Sequence, residues 1–275
     1  MLRIRDTLDC EHIVSILKAY RRGDKFSILF PYVNMNLEQF LEECDTEHRG
    51  APLELEELWL QVLGISKALS NIAERNDRGA QSLATTSTWF SYHFNLEPTN
   101  ILISGNGVSK IADFGQAAFK ARQGTDSKIT DEGGSDAYSA VKTDTAEQYG
   151  TRYDVLSLDC ILLEVATFLV IGRSGLIGPN SLTDPRKSSE RNGMNTRLWQ
   201  HRDGETFVVK PKVEKFMQQL SNKLPPSNPR SRSLKSILKL TKEMLSPEAA
   251  LRKEANGVIQ EMRHIRSAQL TINLC

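Results

Sequence analysis

Cysteine is scarce in this chain of 275 residues: Cys10, Cys44, Cys160 and Cys275 lie far apart, with no C-x-x-C pair. Neither a zinc site nor a disulfide framework is indicated, so a reducing, intracellular setting, cytoplasmic or nuclear, is expected. Long hydrophobic runs are missing too. The longest, from Cys160 to Ile171, is interrupted by Glu164 and is shorter than the ~20 residues a spanning helix needs. The opening Met1-Leu2-Arg3-Ile4-Arg5-Asp6 has no apolar core of signal-peptide length. An excess of one charge is also absent. Lys and Arg number 35 against 34 Asp and Glu, which gives no electrostatic case for nucleic acid or an anionic membrane as the main partner. With 39% hydrophobic and 25% charged residues, the composition excludes collagen-like and disordered chains. The mean hydropathy of −0.38 fits a soluble protein. The length suffices for one large domain or two small ones with a real core.

What is present reads as a little β followed by mostly α. The runs 13–17 and 26–30 are rich in β-branched or aromatic residues and flank Arg21-Arg22-Gly23-Asp24, which predicts two antiparallel strands and a turn. Asn36 is expected to cap a short helix opening at Leu37. Leu58, Val62, Ile65, Leu69 and Ile72 recur every three or four residues, as one face of a helix does. Residues 75–92 read as a polar loop and 115–150 as a long loop without periodicity. Gly105-Asn106-Gly107 between two apolar runs signals a hairpin. The stretch 155–171 is apolar nearly all round, as in a helix at the centre of a domain. Residues 172–205 look irregular, and helices are expected at 212–222, 233–245 and 254–267, with a Pro-rich break at 225–229. The basic cluster Arg230, Arg232, Lys235, Lys239 and Lys242 reads as the solvated face and cap region of a helix.

The informative stretch is His93-Phe94-Asn95-Leu96-Glu97-Pro98-Thr99-Asn100-Ile101-Leu102, followed by Ile111-Ala112-Asp113-Phe114-Gly115. It resembles the catalytic loop H-x-D-L-K-P-x-N-I-L and the D-F-G motif of protein kinases. Glu11-His12-Ile13-Val14 is similar to the H-x-N-I-V of that family, and Leu29 to Val33 to its fifth strand and hinge. Gly134 to Lys142 resembles the end of an activation segment, G-T-P-x-Y-x-A-P-E. Tyr153 to Leu162 resembles the D-V-W-S-L-G-C-I-L of the central helix, and Met244-Leu245 with Arg252 the closing M-L…R. The flavour is that of divergent fungal Ser/Thr-kinase-like proteins. The resemblance implies an α+β, protein-kinase-like fold: a mainly α large lobe over 34–275, with an irregular insertion at about 172–205, and an incomplete β small lobe over 1–33. Counting back from His12, the chain is expected to begin midway through the small lobe, without its Gly-rich loop and V-A-I-K strand.

The same resemblance assigns roles. Asn100 and Asp113 take the positions that hold Mg²⁺ against ATP. Pro31 and Val33 offer hinge backbone groups to adenine, with Phe30 behind them as gatekeeper. Asp154 caps the catalytic-loop backbone, while His93 and Phe114 are packing positions. Against this, Asn95 replaces the Asp that accepts the substrate proton, and an amide cannot take one. Glu97 replaces the Lys beside the transferring phosphoryl, putting an acid where a cation is needed. Lys142 replaces the Glu that would pair with Arg252, a destabilising like-charge pair unless water or another acid intervenes. Phe94 replaces an Arg, leaving no receptor for a phosphate at Thr125, Thr130 or Ser135. The expectation is a Ser/Thr-kinase-like domain without phosphotransferase activity, a pseudokinase, with ATP and Mg²⁺ as its cofactors if it has any, weakly bound or not at all, and with a protein as its possible partner. The alternatives are an active Ser/Thr kinase, with Glu97 out of register as the replacement acid, and a truncated or decaying gene copy.

Overall fold

The computed structural model describes residues 10–43, 57–73, 89–121, 137–139, 151–190, 193–201, 207–246 and 252–272. The first two strands, β1 (Lys18–Arg22) and β2 (Lys25–Leu29), pair antiparallel with Arg22 opposite Lys25. A two-residue turn at Gly23-Asp24 fixes this register, and Gly23 supplies its positive φ of 60°. The first strand therefore runs up to residue 22, not over 13–17 as the apolar run predicts. Ile13 and Val14 are buried elsewhere. Ile111 N–H donates to His12 O and Val14 N–H to Ile111 O, both at 2.9 Å, so the apolar pair is spent on anchoring this segment to the large lobe. The hairpin itself stays open to solvent, with Phe26 76% exposed and Tyr20 and Leu29 also exposed.

β3 (Met35–Asn36) leads into α1 (Leu37–Glu43). Asn36 caps this helix as expected, and reciprocally: Gln39 N–H donates to Asn36 Oδ1 at 2.9 Å and Asn36 N–H to Gln39 Oε1 at 3.0 Å. Helix α2 (Leu58–Ala73) buries the five predicted apolar residues. Residues 89–92, read as loop, form β4 (Trp89–Tyr92), whose partner is far along the chain. β5 (Ile101–Ile103) and β6 (Ser109–Ile111) make the expected hairpin, and β3 extends it to three strands. β7 (Ala118–Ala121), in the stretch read as one long loop, is the partner of β4, with Tyr92 opposite Ala118. Three aromatic residues in the four positions of β4 favour a strand, but nothing local names its mate.

Helix α3 (Thr151–Ile171) is buried on all sides over most of its length and packs against α2 and the C-terminal helices. The stretch expected to be irregular instead holds a one-turn helix α4 (Thr183–Arg186) and two small hairpins. These are β8 (Ser188–Glu190) with β9 (Gly193–Asn195), and β10 (Trp199–His201) with β11 (Phe207–Val209). Leu182, Leu198 and Trp199 from this region join the core, so it is an integral part of the lobe. Helices α5 (Pro211–Asn222), α6 (Pro229–Met244) and α7 (Ala255–Ile272) close the chain. α6 starts four residues before the predicted point because Pro229 stands at its first turn, where a missing N–H costs nothing, and Asn228 caps Arg230 N–H at 2.9 Å. The outcome is an α+β, kinase-like architecture with a helical large lobe and only small sheets in front. Among the described residues, no helix is long and apolar enough to cross a membrane.

One close approach ties the N-terminal segment to this lobe. The His12 ring, within 2.8 Å of Ser109 O through Nδ1, lies against Gly64 of α2. A Cβ at residue 64 would fall 2.1 Å from the ring. Gly64→Ala is expected to cost about 1–3 kcal/mol in chemical denaturation, and the added cost should largely vanish in a His12→Ala background.

Candidate functional site

Asp154, in the first turn of α3, is buried and accepts two backbone hydrogen bonds: from His93 N–H at 2.8 Å to Oδ2 and from Phe94 N–H at 3.0 Å to Oδ1. Burial raises its pKa, while His93 and these two N–H groups work the other way. The bonds hold Phe94 at φ 62°, a sharp left-handed turn that launches residues 95–100 away from the helix. Phe94 packs between Tyr92 and Tyr153, with ring centroids 5.2 and 5.1 Å away. The residue standing in place of Arg is thus a core residue. His93 is fully buried, its Nε2 is 2.9 Å from Ala112 O, and its ring meets Phe114 edge-on at 4.9 Å. Both residues sit in packing positions.

The loop then brings four expected site residues into one neighbourhood. Asn95 is half-buried, and its backbone oxygen accepts a 2.8 Å hydrogen bond from Asn100 Nδ2. That leaves the Asn100 side-chain carbonyl oxygen as a ligand. Ala112 N–H donates to Asn100 O at 2.9 Å, extending the β5–β6 ladder so that Asp113 follows directly after the residue opposite Asn100. Asp113 is exposed at φ 58°, and its Oδ1 accepts Gly115 N–H at 3.1 Å. One carboxylate and one amide oxygen make an oxygen-only donor set suited to Mg²⁺, which keeps several waters and needs phosphate oxygens to complete its shell. Among the described residues, no three His, Cys, Asp or Glu converge as a metal group. Glu97 turns aside to accept the Thr99 hydroxyl at 2.7 Å. At the expected hinge, Pro31 and Val33 are half-buried outside regular structure, Tyr32 is 90% exposed, and the gatekeeper position Phe30 is 38% exposed. Thr125, Thr130, Ser135 and Lys142 lie outside the described residues.

Two buried features escape the sequence reading. Beside Pro98 of the loop lies a cavity of about 190 Å³ lined by Glu38, Tyr138, Glu164 and Arg186 among others. Glu164, the acid that interrupts the apolar run of α3, accepts the Tyr138 hydroxyl at 2.8 and 3.0 Å and pairs with Arg186. Arg186 also donates to Ala137 O at 3.3 Å and lies 5.3 Å over the Tyr138 ring, while Lys210 donates to its backbone oxygen. Burial opposes the Arg186 charge, yet Glu164 and the groups around it outweigh that and its pKa is raised. Burial, reinforced by Glu164, raises Tyr138 well above its ordinary value. Burial also pushes the Cys160 thiol up to about 12, so it is inert. The acid in the apolar run was the readable signal, but its partner from α4 was not. The second feature is Asp159, where the resembled motif has Gly. Its carboxylate is fully buried, and among the described residues neither oxygen has a hydrogen-bond partner. Burial raises its pKa well above the ordinary value, and buried Arg252 pulls the other way. Asp159 is thus a buried acid on α3 within electrostatic reach of Arg252, with burial favouring its protonated form.

Residues 2–263 match the sequence profile of the family described as "Protein kinase domain". Among curated relatives, the chain is 30% identical over 165 residues to cyclin-dependent kinase-like 5 of Mus musculus, a stretch covering 60% of this chain and 16% of that protein. It is 24% identical over 168 residues to the mitosis inhibitor protein kinase mik1 of Schizosaccharomyces pombe, covering 61% and 25% respectively. It is 38% identical over 72 residues to CBL-interacting protein kinase 5 of Oryza sativa subsp. japonica, covering 26% and 16%. The chain therefore spans only a small part of the length of the relatives it matches.

Two outcomes test this geometry. Arg186→Ala strands a buried Glu164 and should cost about 3–5 kcal/mol in denaturant unfolding, whereas Glu164→Met with Arg186→Met together should cost less than that single change. Asp159 has a raised folded pKa, so the folded state binds its proton more tightly than the unfolded chain. Its contribution is complete below the unfolded value and is lost as pH rises through the folded one. The stability of the wild type relative to Asp159→Asn should accordingly fall as pH is raised from acid toward neutral, measured by unfolding at several pH values.

Proposed function

Because this chain belongs to the protein kinase family, we propose that it is a Ser/Thr-kinase-like domain that transfers no phosphate and acts by binding a protein partner. The observation carrying this reading is Asn95, an amide at the position from which the family draws its proton acceptor. Glu97 adds to it. An acid held by Thr99 at the mouth of the loop repels the phosphates that a cation would stabilise. Asn100 and Asp113 would hold Mg²⁺, whose role is to neutralise the phosphate charge of ATP. With Glu97 beside them and Asp113 partly engaged by Gly115, nucleotide binding is weak or absent in this reading. The exposed aromatic and aliphatic side chains of β1, β2 and Tyr32 support treating 1–33 as a separate, incompletely covered part of the small lobe, and 34–275 as the stable large lobe.

A phosphotransfer assay with Mg·ATP and a generic Ser/Thr substrate tests the reading, with Asp113→Ala as control. No turnover above the control is expected, and a thermal-shift titration with Mg·ATP should move the melting temperature little or not at all. Turnover that disappears in Asp113→Ala would sink the proposal.

A further inference from the structure

The net charge of +1 hides a division along the chain. Residues 207–275 contain 13 Lys and Arg, five Glu and no Asp, which leaves 22 basic and 29 acidic residues for 1–206. The fold turns this division into surfaces. On α6 the buried positions include Leu234, Ile237, Leu238, Thr241 and Met244. The opposite stripe carries Arg232, Lys235, Lys239 and Lys242, spaced three, four and three residues apart on one helical face. At 1.5 Å per residue this cationic ridge is about 15 Å long. Among the described residues, the acid paired with it is Glu243, 3.9 Å from Lys239 and already 3.3 Å from Lys253. Lys212 and Lys215 of α5, with Lys223 just past its end, extend the exposed positive surface.

The other surface is negative. Glu38, Glu42 and Glu43 are exposed on α1. Partial burial and then repulsion by Glu42, Glu97 and Glu164 raise the Glu38 pKa, so this mouth holds more negative charge than its surroundings neutralise. Its nearby cation, Arg186, is engaged by Glu164. α1 packs on β5 and the turn after α3, whereas α6 packs on α3, α5 and α7. The two surfaces are thus carried by different layers of the lobe.

We infer that the α6 ridge of one molecule docks on the acidic α1 mouth of a second copy, giving a head-to-tail association. A second copy suits the charge division better than an unrelated acidic partner. Its near-zero net charge removes the overall repulsion that like-charged copies would feel, while the separated charges attract end to end. The two patches differ, so the contact is heterologous and can propagate as open chains. Exposed ion pairs are individually weak and screened by salt, so the association belongs to low ionic strength. This inference stands apart from the absence or presence of phosphotransfer.

Sedimentation velocity across a concentration series, at about 20 mM and about 300 mM NaCl, reads it directly, since the screening length shortens several-fold between them. The chain should self-associate at the lower salt, and its association constant should fall by about tenfold or more at the higher. Lys235→Glu/Lys239→Glu/Lys242→Glu should be monomeric at low salt, and so should Glu38→Lys/Glu42→Lys/Glu43→Lys. Mixing the two charge-reversed variants should restore association, because each then offers the other a complementary patch. Circular dichroism melting confirms that both are folded, and the wild-type salt dependence stands as a test without them. A wild type that is monomeric at low salt, an association that survives either reversal, or a mixture that stays monomeric overturns the inference. Binding of single-stranded RNA or phosphatidylserine vesicles to the ridge while the chain itself remains monomeric would overturn it also, and assign the ridge to those polyanions.

Discussion

The site hangs on one buried carboxylate. Asp154 sits at the start of a helix with almost no solvent contact and receives the N–H groups of His93 and Phe94. A buried acid is costly unless hydrogen-bonded, and two backbone donors at 2.8 and 3.0 Å satisfy it. The arrangement also makes the left-handed turn at Phe94 tolerable, because the same bonds that strain the backbone are the ones that pin it. From this point the positions of Asn95, Glu97 and Asn100 follow, and through the β5–β6 ladder so does that of Asp113. The loop is held by α3, and α3 is buried on all sides over most of its length.

What the sequence made legible was local chemistry. The Asn36 cap, the apolar stripe of α2 and the Gly-Asn-Gly hairpin each depend on residues within one or two turns of one another, so pattern reading reaches them. The misses share a different cause. β4 finds β7 across 26 residues at the Tyr92–Ala118 pair, and Ile13 finds Ile111 across 98. Such pairings are decided by tertiary packing, which a short window does not contain. The apolar run 13–17 shows the consequence: its residues are as β-prone as expected, yet a two-residue turn elsewhere set the register and sent Ile13 and Val14 to another sheet. Pro229 misled for the opposite reason. A proline breaks a helix in its interior but opens one at its first turn, and the residue alone does not say which.

At the site the division is similar. His93, Phe114 and Asp154 were readable because their environments are fixed by motif and core together. The Glu164–Tyr138–Arg186 network was not, because its acid and base come from segments 22 residues apart that meet only through α4. Nor was the acid near Arg252 foreseeable. Asp159 on α3, within electrostatic reach of Arg252, stands at a position the resembled motif reserves for glycine.

Burial explains why structural and chemical positions diverge in this chain. Asp154, His93 and Glu164 are buried with specific partners, so changing any of them leaves a polar group uncompensated inside the lobe at a cost of about 1–5 kcal/mol each. A domain of ordinary stability has only about 5–15 kcal/mol to lose. Asn95 and Glu97 are half-buried, and their contacts are short-range: Asn95 contributes its backbone oxygen to Asn100, and Glu97 accepts from Thr99. Replacing an acid by its amide, or a lysine by a glutamate, at such positions alters the chemistry of the loop while disturbing little that holds the loop in place. A fold built around Asp154 can therefore retain its architecture through changes at residues 95 and 97, because the constraints on packing and on proton transfer fall on different side chains.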